Sequence, residues 1–157
     1  MLILLDIDGV MVPANSWKKP EFHADGFPVF SSRSTSALQK IITETGASIL
    51  LTTSHKTKYN MAEWQHIFEL RGVKANRINS LTSNSLEINR KDEILNWYQS
   101  KHKPNERFVI IDDDKILNQL PSQLKDNLVL TSSSVGLTDE LAEHAISILK
   151  NSAVNLV

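Results

Sequence analysis

Cysteine is absent from this sequence of 157 residues. The chain therefore has no disulfide, no thiolate metal site and no cysteine nucleophile, and its composition fits a reducing compartment. It also lacks any apolar run near the length of about 18 residues that a membrane helix needs. The apolar start at residues 1–5 is as long as a strand and has no basic flank, unlike a signal peptide. We expect a soluble, cytoplasmic protein that does not enter a membrane.

An excess of charge of one sign is missing as well. Lys and Arg number 17 and Asp and Glu number 18, so the formal net charge is −1. The protein therefore has no overall positive charge that would attract nucleic acid or an anionic membrane. Net charge does not favour nucleic acid as a partner, but it does not exclude it. The apolar share of 41% and the charged share of 22% are typical of globular proteins. With this length they predict a single domain over residues 1–157.

Short apolar runs alternate with helical patterns along the chain. The runs predict strands at residues 1–5, 47–51, 78–81, 108–111 and 128–130. Apolar residues at helical spacing predict helices from Ser34 or Thr35 to 45, at 60–71, at 86–101, a short one to 120, and one from 138 onward. This alternation predicts an α/β fold, a three-layer, doubly wound, parallel sheet of the Rossmann-like kind, with helices on both faces.

Polar residues follow three of these strands at the point where each strand ends. Asp6 and Asp8 follow the first strand, Thr52 and Thr53 the second, and residues 112–114, all aspartate, the third. The carboxyl ends of parallel strands lie along one edge, where such sheets bind ligands. Asp6 and Asp8 are two apart and should face the same way, and two like charges so close call for a cation.

A basic pair, Arg90 and Lys91, stands near the start of the third predicted helix. Basic residues at that end oppose the helix dipole, so an anion close by would explain them. Carboxylates and hydroxyls around one cation suit Mg²⁺ and a phosphoryl group, since Mg²⁺ takes one or two carboxylates together with phosphate oxygens. Hydroxyl and guanidinium or ammonium donors bind the remaining phosphate oxygens.

Four segments in this order resemble the motifs of the haloacid dehalogenase (HAD) superfamily. DIDGV at 6–10 resembles its motif DxDx[TV], and LLTTS at 50–54 resembles its second motif. The basic pair stands where the family has its Lys or Arg, and VIIDDD at 109–114 resembles its acidic motif. GLTDELAEHAISIL at 136–149 is similar to the end of small HAD-type domains found alone or in bacterial RNA-repair polypeptides.

The resemblance implies an HAD-like phosphatase that forms an aspartyl phosphate. It implies that Asp6 is the nucleophile and that Asp8 first protonates the leaving group and then activates water. Thr52, or alternatively Thr53, would bind the phosphoryl oxygens. Either Arg90 or Lys91 would stabilise the charge on the nucleophile and the phosphate.

The same resemblance implies a magnesium site. Asp112, with Asp113 as a further candidate, would bind Mg²⁺ together with Asp6 and the backbone carbonyl of Asp8. Two residues directly after the second motif, His55 and Lys56, are candidates for contact with the substrate.

Residues 9–32 leave no room for a large cap domain. The stretch contains three prolines and several aromatic residues, among them Trp17, Phe22 and Phe27, and it shows neither helical nor strand periodicity. We expect an ordered flap that forms the only cover over the site, with aromatic side chains that pack on the domain. In the HAD superfamily such an open site goes with large or terminal phosphates, on nucleic acid or protein, or with a cap from another subunit.

Two other functions fit parts of this pattern. A receiver-type signalling domain also has an acidic cluster, a Thr and a Lys on a parallel sheet, but its acceptor Asp ends a middle strand alone. A non-catalytic HAD-like module that binds phosphoryl groups or nucleic-acid ends would be expected to lack Asp6 or Asp8, and both are present. The phosphatase is therefore the leading hypothesis.

Overall fold

In the computed structural model, which describes residues 1–14, 19–81 and 89–151, the chain forms a parallel sheet flanked by helices. The strands are β1 (Leu2–Leu5), β2 (Ser48–Leu51), β3 (Ile78–Ser80), β4 (Phe108–Asp112) and β5 (Leu128–Leu130). The helices are α1 (Ser32–Thr45), α2 (Met61–Leu70), α3 (Arg90–Ser100), α4 (Ser122–Lys125) and α5 (Asp139–Asn151), with a 3₁₀ helix at Lys115–Gln119.

The strand order β3-β2-β1-β4-β5 places β1 in the middle of the sheet. Leu5 at the end of β1 is in register with Leu51 of β2 on one side and with Ile111 of β4 on the other. All these pairings are parallel, so the residues that follow the three strands emerge side by side at one edge. The topology therefore brings together segments that are far apart in the sequence.

The sheet separates two hydrophobic clusters. The larger cluster contains buried residues of α1, α2 and α5, and the smaller contains those of α3, α4 and the 3₁₀ helix. Alternate residues of β1 join different clusters, Ile3 and Leu5 the larger and Leu4 the smaller. This arrangement confirms the predicted doubly wound, three-layer α/β fold. Within the described ranges, no helix is long and apolar enough to cross a membrane.

Several predicted helix ends are confirmed by their capping contacts. Asn60 and Glu63 form a reciprocal capping box at the start of α2. Gly46 ends α1 in the left-handed conformation, with φ 72°. The hydroxyl of Thr138 accepts the Leu141 N–H at 3.3 Å, as expected of the N-cap residue of α5.

Other boundaries were predicted wrongly. Helix α1 begins at Ser32 rather than near Ser34, because Ser31 provides the cap and its hydroxyl accepts the Ser34 N–H at 3.1 Å. The short helix before Pro121 is a 3₁₀ helix, and α4 after it was not predicted. Helix α3 begins at Arg90 with Asn89 as its cap, whereas the predicted start at 86 lies outside the described residues.

The flap contains a small hairpin in its second half. Phe22 and Pro28 form an antiparallel bridge, and the Val29 N–H donates to the Glu21 carbonyl at 2.8 Å. Phe27 is buried in the larger cluster, but Phe22 is 59% exposed, so the expectation that it packs on the domain was wrong. Trp17 lies outside the described residues. Whether this segment is the only cover over the site stays a prediction.

Candidate active site

Three carboxyl groups converge at the edge of the sheet where β1 and β4 end. One oxygen each of Asp6, Asp112 and Asp113 lies within 4.8 Å of the others. Asp6 is 5% exposed and Asp112 is fully buried. They are brought together because β1 and β4 are parallel neighbours in matched register, so the residues after Leu5 and Ile111 reach the same place.

Arg90, the first residue of α3, lies against this acidic cluster. Its Nη1 donates to Asp112 Oδ2 and lies 3.5 Å from Asp6 Oδ1. Lys91 makes no ion pair with the cluster in the described part of the chain, so Arg90 is the basic residue of the pair that contacts it. The anion expected beside this helix start is therefore the cluster itself.

The cluster holds more negative charge than one guanidinium balances. Burial, and after it the charge of Asp112, raises the pKa of Asp6 from 3.8 to about 8, although the charge of Arg90 acts in the opposite direction. Burial also raises the pKa of Asp112, against the opposing charge of Arg90. Carboxyl groups in such surroundings hold their protons unless a further cation stabilises the ionised form.

A glycine makes room for the third carboxylate. Gly9 has φ +80°, and a Cβ at this position would overlap the carboxylate of Asp113. The carbonyl of Gly9 accepts a 2.7 Å hydrogen bond from the buried hydroxyl of Thr131, directly after β5. Thr131 was not predicted as a site residue, although it follows β5 as Thr52 follows β2. These contacts fix the turn that carries Asp8.

The two threonines after β2 differ in their contacts. Thr52 is fully buried, and its hydroxyl oxygen has no hydrogen-bond partner among the residues that the structure describes. Burying a hydroxyl without a hydrogen-bond partner costs free energy. A bound phosphoryl oxygen would provide the partner that the Thr52 hydroxyl lacks. Thr53 is also fully buried, but its hydroxyl accepts the His55 N–H at 3.3 Å and so supports the loop.

Asp8 and the residues predicted to contact substrate lie on the outer side of the site. The Asp8 side chain is 58% exposed, and its Oδ2 lies 2.8 Å from Nε2 of His55. The Lys56 ammonium instead pairs with Glu93 of α3 at 2.9 Å, and both of these side chains are largely buried. The structure therefore brings His55 to Asp8 and places Lys56 against α3. Glu93 was not singled out in the sequence.

A cleft of about 510 Å³ opens beside Asp8. The flap provides most of its walls, and many of the lining residues are apolar, among them Val12, Pro20, Val29 and Phe30. This volume lies in the range of sites that hold small molecules. Asp8, whose side chain is exposed, thus lines an apolar recess and lies two residues after Asp6 of the buried acidic cluster.

Arg71 fixes the flap hairpin to α2. Its guanidinium donates to both carboxylate oxygens of Asp25, at 2.7 and 3.0 Å, and to the carbonyls of Phe27 and Pro28, at 2.7 and 2.9 Å. It also packs over the rings of Phe27 and Phe30, with centroid distances of 5.4 and 5.1 Å. This anchor was not predicted, because nothing in the local sequence distinguishes Arg71 from any other residue at a helix end.

The donor set fits a hard divalent cation. The three carboxylates offer oxygen ligands only, which Mg²⁺ prefers, and the raised pKa of Asp6 shows that its ionised form needs further positive charge. Among the described residues, the carboxylates that could hold the metal together are those of Asp6, Asp112 and Asp113. The carboxylate of Asp8 is directed to His55 instead. The residues present therefore fit the expected metal.

A parallel α/β sheet with an aspartate cluster, a threonine and an arginine at its carboxyl edge defines a domain of the HAD type. The sequence model of the family described as the HAD domain in Swiss Army Knife RNA repair proteins matches residues 2–142. This match covers most of the chain, and the chain belongs to this family. No curated protein matches the chain. Membership supports a phosphatase-type hydrolase function at the level of the superfamily.

Proposed function

We propose that this domain hydrolyses phosphate monoesters through an aspartyl phosphate on Asp6, with Mg²⁺ as its cofactor. The observation that carries the proposal is the convergence of Asp6, Asp112 and Asp113 with Arg90 at the ends of neighbouring strands. Mg²⁺ bound by these carboxylates would supply positive charge beside the phosphoryl oxygens. The buried hydroxyl of Thr52 offers those oxygens a further donor.

In the first step, a carboxylate oxygen of Asp6 attacks phosphorus as the bond from phosphorus to the ester oxygen breaks. Asp8 gives its proton to the departing oxygen, so an alcohol leaves and Asp6 carries the phosphoryl group. In the second step, water attacks phosphorus and gives a proton to Asp8 while the bond from phosphorus to Asp6 breaks. Inorganic phosphate leaves and both aspartates return to their initial states. Arg90 stabilises the negative charge next to Asp6 throughout.

For the substrate, we propose a terminal phosphate of RNA. The support is the family, whose description names RNA repair proteins, together with the cleft beside Asp8. The leaving group must lie next to Asp8, because Asp8 protonates it, and the cleft offers an apolar recess there. The net charge of −1 does not contradict this substrate, since Arg90 and a bound cation would attract a single phosphate locally. The flap then shields the phosphoryl group without enclosing the rest of the substrate.

The metal is tested by chelation. We expect EDTA to abolish hydrolysis of p-nitrophenyl phosphate and Mg²⁺ in excess to restore it, because the cation would supply the positive charge that the carboxylates and the phosphoryl oxygens need. Mg²⁺ should also raise the melting temperature of the wild-type protein, since a ligand that binds only the folded state stabilises it. Asp112→Asn should lose most of that rise, whereas Asp114→Asn, which alters an exposed aspartate outside the cluster, should keep it. Full activity after thorough chelation would remove the metal from the mechanism.

A further inference from the structure

The contact between His55 and Asp8 joins two elements that are not neighbours in the sequence. His55 lies in the loop after β2, and Asp8 lies in the turn after β1. The side chain of His55 is 28% exposed, so its ring is partly enclosed, whereas Asp8 is 58% exposed. Without a partner, an exposed aspartate samples several rotamers. The hydrogen bond between Nε2 and Oδ2, at 2.8 Å, selects one of them.

The ring of His55 is itself held in place. The edge-to-face contact with Phe27 has a centroid distance of 5.5 Å and an interplanar angle of 87°. Phe27 is buried and packs in the same way against Tyr59 and Trp64. In addition, the backbone N–H of His55 donates to the hydroxyl of Thr53. The ring of His55 is therefore supported by its neighbours, and Asp8, which it contacts, is the more exposed of the two.

From this geometry we infer that His55 is a positioning residue, which holds Asp8 in the orientation needed for proton transfer to the leaving group. The inference rests on the proposed function, in which Asp8 is the general acid. His55 contacts one carboxylate oxygen of Asp8, Oδ2, which leaves Oδ1 for the leaving-group oxygen, and Asp8 itself lines the cleft. A general acid works only within hydrogen-bond reach of the atom it protonates, and a small misplacement is costly.

This role differs from direct contact with the substrate, which the sequence suggested for His55. A residue that acts through Asp8 matters only when the leaving group needs a proton. p-Nitrophenyl phosphate releases a stable phenolate, whereas p-nitrobenzyl phosphate, of nearly the same size, releases an alkoxide that must be protonated. The ratio kcat/KM reports the steps up to formation of the aspartyl phosphate, and so isolates the acid role of Asp8 from its later role as a base.

The experiment compares kcat/KM for these two esters in wild-type protein, His55→Ala, His55→Gln, Asp8→Asn and the double variant Asp8→Asn with His55→Ala. We expect His55→Ala to lower the value for the benzyl ester on the order of 10-fold and that for the phenyl ester less than about 3-fold. His55→Gln keeps an N–H near the position of Nε2 and should recover part of the loss. In the Asp8→Asn background, the second substitution should have no further effect, because the group that His55 positions can no longer transfer a proton to the leaving group.

Equal losses for both esters, or a loss from His55→Ala that persists when Asp8 is already Asn, would overturn the inference and indicate direct contact with the substrate. These results would leave the proposed function intact, since wild-type turnover is measured first and its dependence on Asp6 is checked with Asp6→Asn. A wild-type protein that hydrolyses neither ester would overturn the proposed function, and the inference about His55 with it.

Discussion

Asp6→Asn is expected to lower turnover of p-nitrophenyl phosphate on the order of 10⁴-fold or more, because an amide cannot form the aspartyl phosphate. The residue is 5% exposed and lies in the centre of the acidic cluster, and Asn preserves its size. The measurement is kcat at saturating Mg²⁺, so that weaker metal binding does not mimic the loss. Mass spectrometry after acid quench should find a phosphoryl group on the wild-type chain and none on the variant.

Asp114→Asn is the matched control for this substitution. Asp114 follows the same strand but is exposed, lies outside the cluster, and caps the 3₁₀ helix through an oxygen that Asn also has. We expect its turnover to stay within about 2-fold of wild type, as is usual for a surface substitution. Turnover by Asp6→Asn at the wild-type rate would show that the covalent mechanism is wrong.

Arg71→Met is expected to lower the free energy of unfolding by about 3 kcal/mol or more, because it removes one partner of a buried ion pair. The side chain of Arg71 is 1% exposed and its loss leaves Asp25 and two flap carbonyls without their donor. Chemical denaturation measures the change. Arg33→Met, at an exposed position of α1, is the matched control and should change stability by less than about 0.5 kcal/mol. A loss as small as that of the control would contradict the role of Arg71 as an anchor of the flap.

The same ion pair predicts a dependence of stability on pH. Hydrogen bonds from Arg71, and from the backbone N–H of Phe27, lower the pKa of Asp25 from 3.8 to about 2. A carboxyl group whose pKa is depressed by folding stabilises the protein fully above its unfolded pKa, and that stabilisation is lost as the pH falls towards its folded pKa. The difference in unfolding free energy between wild type and Asp25→Asn should therefore be constant above about pH 5 and shrink between pH 4 and pH 2. A difference that did not change with acidification would contradict the pairing.

The fold class and the location of the candidate site could be predicted from the sequence. Apolar runs and helical spacing are local signals, and they identified the central strand at 1–5 and the helices that flank it, with boundaries that cap contacts then shifted by a few residues. Parallel strands in register bring their carboxyl ends to one edge for a general geometric reason. Asp6, Thr52 and Asp112 could therefore be placed together without the structure.

The structure was needed to establish which way individual side chains face. It showed that Arg90 rather than its neighbour contacts the carboxylates, and that Asp8 is directed to His55. It also revealed the flap anchor at Arg71, more than forty positions from Asp25. Such contacts join segments that are far apart in the sequence, and neither segment contains a local pattern that indicates the other. A side chain pairs with the groups that the packed fold brings within a few ångströms, so its partner is known only when the fold is.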